Sequence, residues 1–152
     1  ESDMNRIVLR KIHAIAGVAA FLLIATFWTS TVISELFGSQ ATVVAVKHVI
    51  VYALFALMFC MALAGATGMK MGGKSNPPRI AAKRRRMPFI AANGLFILLP
   101  CAFFLYHRAA AGQFDAVFYA VQALELLAGA TNLLLLGLSM RDGLAIRRPR
   151  AA

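Results

Sequence analysis

The sequence predicts an all-α integral membrane protein, a single domain over residues 1–152 folded as an antiparallel up-down four-helix bundle. Three observations carry that expectation. Apolar residues make up 61% of the chain and charged residues only 14%, where a soluble domain carries roughly 25% charged residues. Four long apolar runs follow one another, at Ile12–Leu36, Ala41–Met69, Met87–Arg108 and Phe114–Met140. Each is long enough to cross a hydrocarbon core, which takes ~20 helical residues, and in lipid each must satisfy its own backbone N–H and C=O groups, so each is a helix. Finally, 14 of the 16 Lys and Arg residues fall on one side of the bilayer once the chain has crossed it four times.

Arg6, Arg10 and Lys11 precede the first span. The span lacks a small-residue cleavage site and is too long for a signal h-region, so it is expected to be retained, with Met4 a candidate start. Its rare polar and bulky residues, His13, Gly17, Ile24, Trp28, Thr31 and Glu35, recur at three- and four-residue steps and define one inward face. The link FGSQAT is short, which makes the second span an antiparallel neighbour. On that span His48, Tyr52, Phe55 and Phe59 form the expected inward face.

Residues 70–86, rich in Gly, Pro, Lys and Arg, read as a mobile loop lying against anionic headgroups. The third span presents Asn93, Ile97, Pro100, Phe104 and His107 on one face, and Pro100 frees the Phe96 carbonyl and predicts a kink. After the short RAAAGQ link, the fourth span carries Gln122, Glu125, Gly129 and Asn132 inward, and RDGLAIRRPR reads as an interfacial tail. No internal repeat is present.

The net charge of +10 does not point to nucleic acid, because the basic residues flank apolar spans and build no soluble face. By the positive-inside rule it places both termini and the 70–86 loop in the cytoplasm of a bacterium, and the protein in its inner membrane. GMKMGGKS, from Gly68 to Ser75, spells a phosphate-loop pattern. That chemistry needs a strand before it and a helix directly after it. Here an apolar helix precedes and Asn-Pro-Pro follows, so it reads as basic loop. Cys60 and Cys101 lie within spans without a CxxC pairing and read as small core residues; Met58, Met61, Met69, Met71 and Met87 read as packing and interfacial residues, not a copper site.

Two functional expectations follow. His48 enters the second span from the outer side, roughly 9 Å below its start, and His107 closes the third on the same side. Two imidazoles facing across a bundle core hold a haem iron axially in membrane b-type cytochromes. Lys47 and Arg108, the neighbours of those histidines, stand where propionates would be, and Tyr52, Phe55 and Phe104 where the ring would lie. The alternative is a pair of interfacial histidines, hydrogen-bonded to neighbours, without metal.

The second expectation starts from Glu125, near mid-membrane, where a lone ionised carboxylate is too costly. Lys47 is the basic side chain placed to meet it, and Glu35, Gln122, His48 and His107 complete a polar cluster in the outer half. The cluster reads as a structural ion pair fixing helix register, as a site for a ligand, a proton or a partner helix, or as a site for one metal ion, without a Glu-x-x-His spacing to strengthen the last. His13, Asn93 and Asn132 form a second polar layer nearer the cytoplasm, with the asparagines as interhelical hydrogen-bond glue.

The stretches KRRRMPFIAANGLF and FDAVFYAVQALELLAGATNLLLLGLSMRDGL resemble those of small uncharacterised four-helix inner-membrane proteins of proteobacteria. The resemblance covers nearly the whole chain and implies a location but no catalytic residue. In architecture the chain also resembles the four-helix membrane cytochromes of the b561 and superoxide-oxidase type. That family holds two haems on four histidines, some in its last helix, whereas this sequence has no histidine after His107. The resemblance therefore implies at most one haem b; a second would need His13 with a methionine such as Met69 or Met140. The expected partners are the anionic bilayer surface, a quinone or other redox partner if haem is bound, and further copies or a larger complex. No soluble catalytic domain is expected, so the chain is either an electron-transfer cytochrome or a non-enzymatic accessory or structural subunit.

Overall fold

A computed structural model describes residues 2–72 and 77–147. Gly73, Lys74 and Ser75 of the phosphate-loop pattern lie outside the described residues, as do Arg148, Arg150 and the side chain of Arg147. Four antiparallel rods form the bundle: α1 (Ser2–Phe37), α2 (Gln40–Gly72), a composite third rod, and α5 (Ala116–Arg147). The third rod is α3 (Pro78–Asn93), a π-helical turn (Gly94–Leu98) and α4 (Leu99–Ala110). All four rods are long and apolar enough to cross a membrane, so the protein is a multi-pass, all-α four-helix bundle. The rods close a ring: α1 packs on α2, α2 on α4, α3 and α4 on α5, and α5 back on α1.

The helices outrun their hydrophobic spans at the basic end, α2 by only three residues. α1 begins ten residues before Ile12, α3 begins at Pro78 instead of Met87, and α5 continues past Met140. The segment read as a loop over 70–86 is thus mostly helix, and 73–77 alone separate α2 from α3. Hydropathy marks the hydrocarbon boundary, but Ala, Lys and Arg are good helix formers and nothing stops a helix at the headgroups. Pro78 suits the first turn of α3, where its missing N–H has no intrahelical partner to lose.

The opposite end is turned tightly. Ser39 caps α2, its Oγ accepting from Thr42 N–H at 3.2 Å. The Gly38 backbone lies where a Cβ would meet Ser34 O at 2.6 Å, so the two-residue turn tolerates only glycine there. α4 ends in a Schellman motif: Gln113 N–H donates to Arg108 O at 2.9 Å, Gly112 N–H to Ala109 O at 3.0 Å, and Gly112 takes the left-handed φ of +69°.

The interior mixes alanines with branched and aromatic residues such as Ile90, Leu105 and Phe118. Ala16, Ala20, Ala64, Ala102, Ala109 and Ala128 are buried, while Phe55, Phe59, Phe89, Phe96 and Leu127 face outward. Lipid tails are as apolar as Leu, so large side chains gain little by turning inward, and small ones let backbones approach. This corrects the inward face expected for the second span. Tyr52, Phe55 and Phe59 are exposed, and α2 buries Val43, Lys47, Ile50, Val51, Leu54, Ala64 and Thr67 instead.

Candidate functional site

Lys47 lies seven residues into α2, about 10 Å along the rod, and at 1% exposure is one of the most enclosed side chains in the bundle. Its Nζ donates to Gln122 Oε1 and stands 3.4 Å from Glu125 Oε1. Gln122 and Glu125, three residues apart on α5, share a face, and Gln122 Nε2 donates to the same Glu125 oxygen at 3.3 Å. Glu35, in the last turn of α1, lies within Coulombic range of both Lys47 and Glu125. The Cys101 thiol of α4 is buried within the field of Glu125. Val43, Leu105, Ala109 and Phe118 seal the cluster toward the far end, and Ile50, Leu54 and Ala102 close it toward mid-membrane.

Two carboxyl oxygens of this group, Glu35 Oε1 and Glu125 Oε2, are buried without a hydrogen-bond partner. One ammonium faces two carboxyl groups, so the cluster is electrically neutral only when one proton sits on a carboxyl. In a low dielectric that balance dominates, because an uncompensated buried charge is the costliest state available. Among the described residues no group of three or more His, Cys, Asp or Glu side chains converges as a metal site. The Lys47 ammonium supplies the positive charge beside Glu125, with Glu35 within Coulombic range.

His48 and His107 do not join the cluster, and both rings are exposed. His48 stacks on Tyr52 with centroids 5.0 Å apart, meets Tyr106 edge-on at 5.4 Å, and Tyr106 lies 5.6 Å from His107. On α2 the reason is that Lys47 and His48 are successive residues and point about 100° apart on a helix; the one inside excludes the other. On the third rod the reason is the π-helical turn. An α-helix continued from Asn93 would bring Ile97, Pro100, Phe104 and His107 inward. The turn adds one residue, so Leu98, Cys101, Leu105 and Arg108 face the neighbouring helices instead, with Cys101 and Leu105 buried. The proline that removes an N–H from this region, Pro100, directly follows Leu99, whose N–H bonds back to Gly94 O.

The other polar residues form separate levels. Asn93 Nδ2 donates to Ala128 O and to Asn132 Oδ1, both at 2.8 Å, and Asn132 Nδ2 donates to Ile90 O at 3.3 Å, a brace between the third rod and α5. His13 lies at a different height, more than two turns along α1 from Ile24, which packs beside Ile90. Its Nδ1 bonds to Ala64 O at 2.9 Å and its Nε2 stands 2.9 Å from Lys83 Nζ. Nδ1 is therefore the protonated nitrogen and Nε2 accepts from the ammonium, tying α1 to α2 and α3. Arg86 donates to Asp142 at 2.6 Å, fastening α3 to α5 at the basic end.

Arg108, the other expected propionate partner, is paired with Asp115 across the α4–α5 link and lies over the Phe104 ring, 5.6 Å from its centroid. Asp115 also caps α5, its Oδ1 accepting from Phe118 N–H at 3.0 Å. That backbone donor first, and the Arg108 guanidinium second, hold the Asp115 carboxyl below the usual carboxylate range. Stability from this group is therefore complete above the unfolded-state pKa of about 3.9 and is lost as pH falls through the lower folded value. Asp115→Ala is expected to lower the melting temperature in detergent at pH 7, and by progressively less as the pH is taken down through the acid range. Asp115→Asn, which keeps the cap, is expected to lose less.

The fold and the charged interior define a class: a polytopic membrane four-helix bundle with a buried ammonium–carboxylate centre. Compared with protein-family models, curated proteins and solved structures, the chain matches none of them. Three features escaped the sequence reading. They are the Trp28 Nε1–H bond to Leu126 O at 2.9 Å, the His13–Lys83 link and the Arg86–Asp142 pair. Only the last had a visible signal, a lone Asp among basic residues.

Proposed function

We propose that this chain is a non-enzymatic, multi-pass protein of the bacterial inner membrane, with both termini cytoplasmic, whose working part is the Lys47–Gln122–Glu125–Glu35 cluster acting as a proton-binding site. The observation that carries the proposal is the unpartnered, buried Glu125 Oε2 beside a single ammonium and a second carboxyl. A structural ion pair needs one carboxylate per lysine; the extra one holds an exchangeable proton. Glu35 sits two residues from the end of α1 and is partly exposed, which gives the proton an entry from the outer side. What supports that orientation is the gathering of the basic residues Arg6, Arg10, Lys11, Lys70, Lys83 and Arg141 at one end of the bundle.

Infrared difference spectroscopy of the reconstituted protein across a pH titration tests this. A protonated-carboxyl C=O band is expected that titrates and disappears in Glu125→Gln or in Glu35→Gln. A spectrum with no titrating carboxyl band, or one unchanged in both variants, overturns the proposal.

A haem b between His48 and His107 inside the bundle fits the residues less well. Both rings are exposed and Tyr106 lies between them, while Lys47 and Arg108 are engaged by carboxylates and not turned toward propionates.

A further inference from the structure

A groove of about 480 Å³ runs between α3 and α5 on the outside of the bundle, lined by Arg85, Arg86, Phe89, Asn93, Thr131 and Leu135. Its chemistry changes along its length. At the basic end stand two guanidiniums; Phe89 and Leu135 form an apolar floor; Asn93 closes the inner end, eight residues from Arg85, or about 12 Å deeper. The two arginines differ in state. Arg86 is committed to Asp142 at 2.6 Å, whereas Arg85 is exposed and joins none of the ion pairs found among the described residues. The Asn93 amide nitrogen is likewise committed, to Ala128 O and Asn132 Oδ1, so the deep end offers no free side-chain donor from Asn93.

We infer that this groove is a binding site for one anionic phospholipid, its phosphate on Arg85 and the upper part of one acyl chain along Phe89, Thr131 and Leu135. Three features favour a lipid over a soluble anion or a protein partner. The cationic end lies at the level where helices α3 and α5 leave their apolar stretches, which is headgroup level. The apolar length begins directly below it and points into the hydrocarbon. The arginine at the rim has a free planar fork that matches phosphate oxygens in a bidentate geometry. A paired rim would have left only shape, and an isolated surface arginine would have left only charge; the groove has both.

The site is tested on the full chain in detergent by native mass spectrometry with added phosphatidylglycerol or phosphatidylcholine, the latter carrying the same chains without net charge. Wild-type protein is expected to retain phosphatidylglycerol preferentially. Arg85→Gln is expected to weaken that retention about fivefold, the value of one guanidinium at an anionic headgroup, and Arg85→Lys to restore part of it. Arg10→Gln, which removes an equal charge from an exposed position at the same end outside the groove, is expected to change little. Thr131→Trp, which fills the groove without altering charge, is expected to abolish the preference. Inorganic phosphate at matching concentration is expected not to compete. Equal losses in Arg85→Gln and Arg10→Gln, retention unaffected by Thr131→Trp, equal retention of the two lipids, or displacement by inorganic phosphate would each overturn the inference.

Discussion

Lys47→Ala is expected to destabilise the bundle by about 3 kcal/mol, measured by thermal or denaturant unfolding in detergent. The side chain is fully enclosed, so its removal leaves Glu125, and behind it Glu35, without the positive charge that compensates them, and leaves Gln122 Oε1 without its donor. The loss does not reach the upper end of what a broken buried pair costs, because the orphaned carboxyl escapes part of the penalty by binding a proton. The double variant Lys47→Ala/Glu125→Gln removes both charges and is expected to recover more than half of the loss. That non-additivity distinguishes a compensated pair from mere packing of the lysine stem. Equal destabilisation of the single and double variants would show that Lys47 acts through its bulk. The result also bears on the proton proposal, since a lysine that does not compensate Glu125 leaves no charge imbalance for a proton to correct.

Architecture was legible in the sequence because a hydrocarbon slab imposes two requirements that composition alone reveals: ~20 apolar residues per crossing, and basic residues kept to one side. The positions of the helix ends were not, because headgroup-level residues such as Arg79, Lys83 and Arg84 continue a helix as readily as they leave it. On α1 and α5 Ile24, Thr31, Gln122, Gly129 and Asn132 are buried as the sequence predicts, the polar ones because they have no stable place in lipid, whereas Gly17 faces open space. On α2 the aromatic residues at 52, 55 and 59 outweighed Lys47 in the sequence reading, though in lipid an aromatic ring facing outward costs nothing and a lysine does. The outward turn of His107 was hidden in a single inserted residue. Pro100 announced a disturbance, but whether the chain answers with a kink or a π-helical turn depends on how α5 packs against it, through Trp28, Gly129 and Leu98. Periodicity counted across such a turn goes out of register by one, and every candidate ligand beyond it moves to the wrong side.

The same contact gives the second large expected effect. Gly129 is buried, and a Cβ built on it would stand 3.1 Å from Trp28 Cδ1 and 4.0 Å from Leu98 Cδ2. The glycine lets α5 lie directly against the indole of α1, whose Nε1–H spans to Leu126 O. Close approach through small residues drives helix association in lipid, where burying apolar area gains nothing. Gly129→Leu therefore forces the indole aside or the helices apart and breaks that hydrogen bond, at an expected cost of about 2–3 kcal/mol. Trp28 is the only tryptophan in the chain, so its fluorescence reports the contact directly: the emission maximum and quenching by brominated lipid are expected to shift toward those of a lipid-facing indole. Gly17→Leu and Gly65→Leu, at positions with open space where a Cβ would be, are expected to leave both fluorescence and stability nearly unchanged. If Gly129→Leu behaves like those two, α1 and α5 are not held by close approach at this level. The alignment of Glu35 with Glu125 would then have to be maintained by the charged cluster itself.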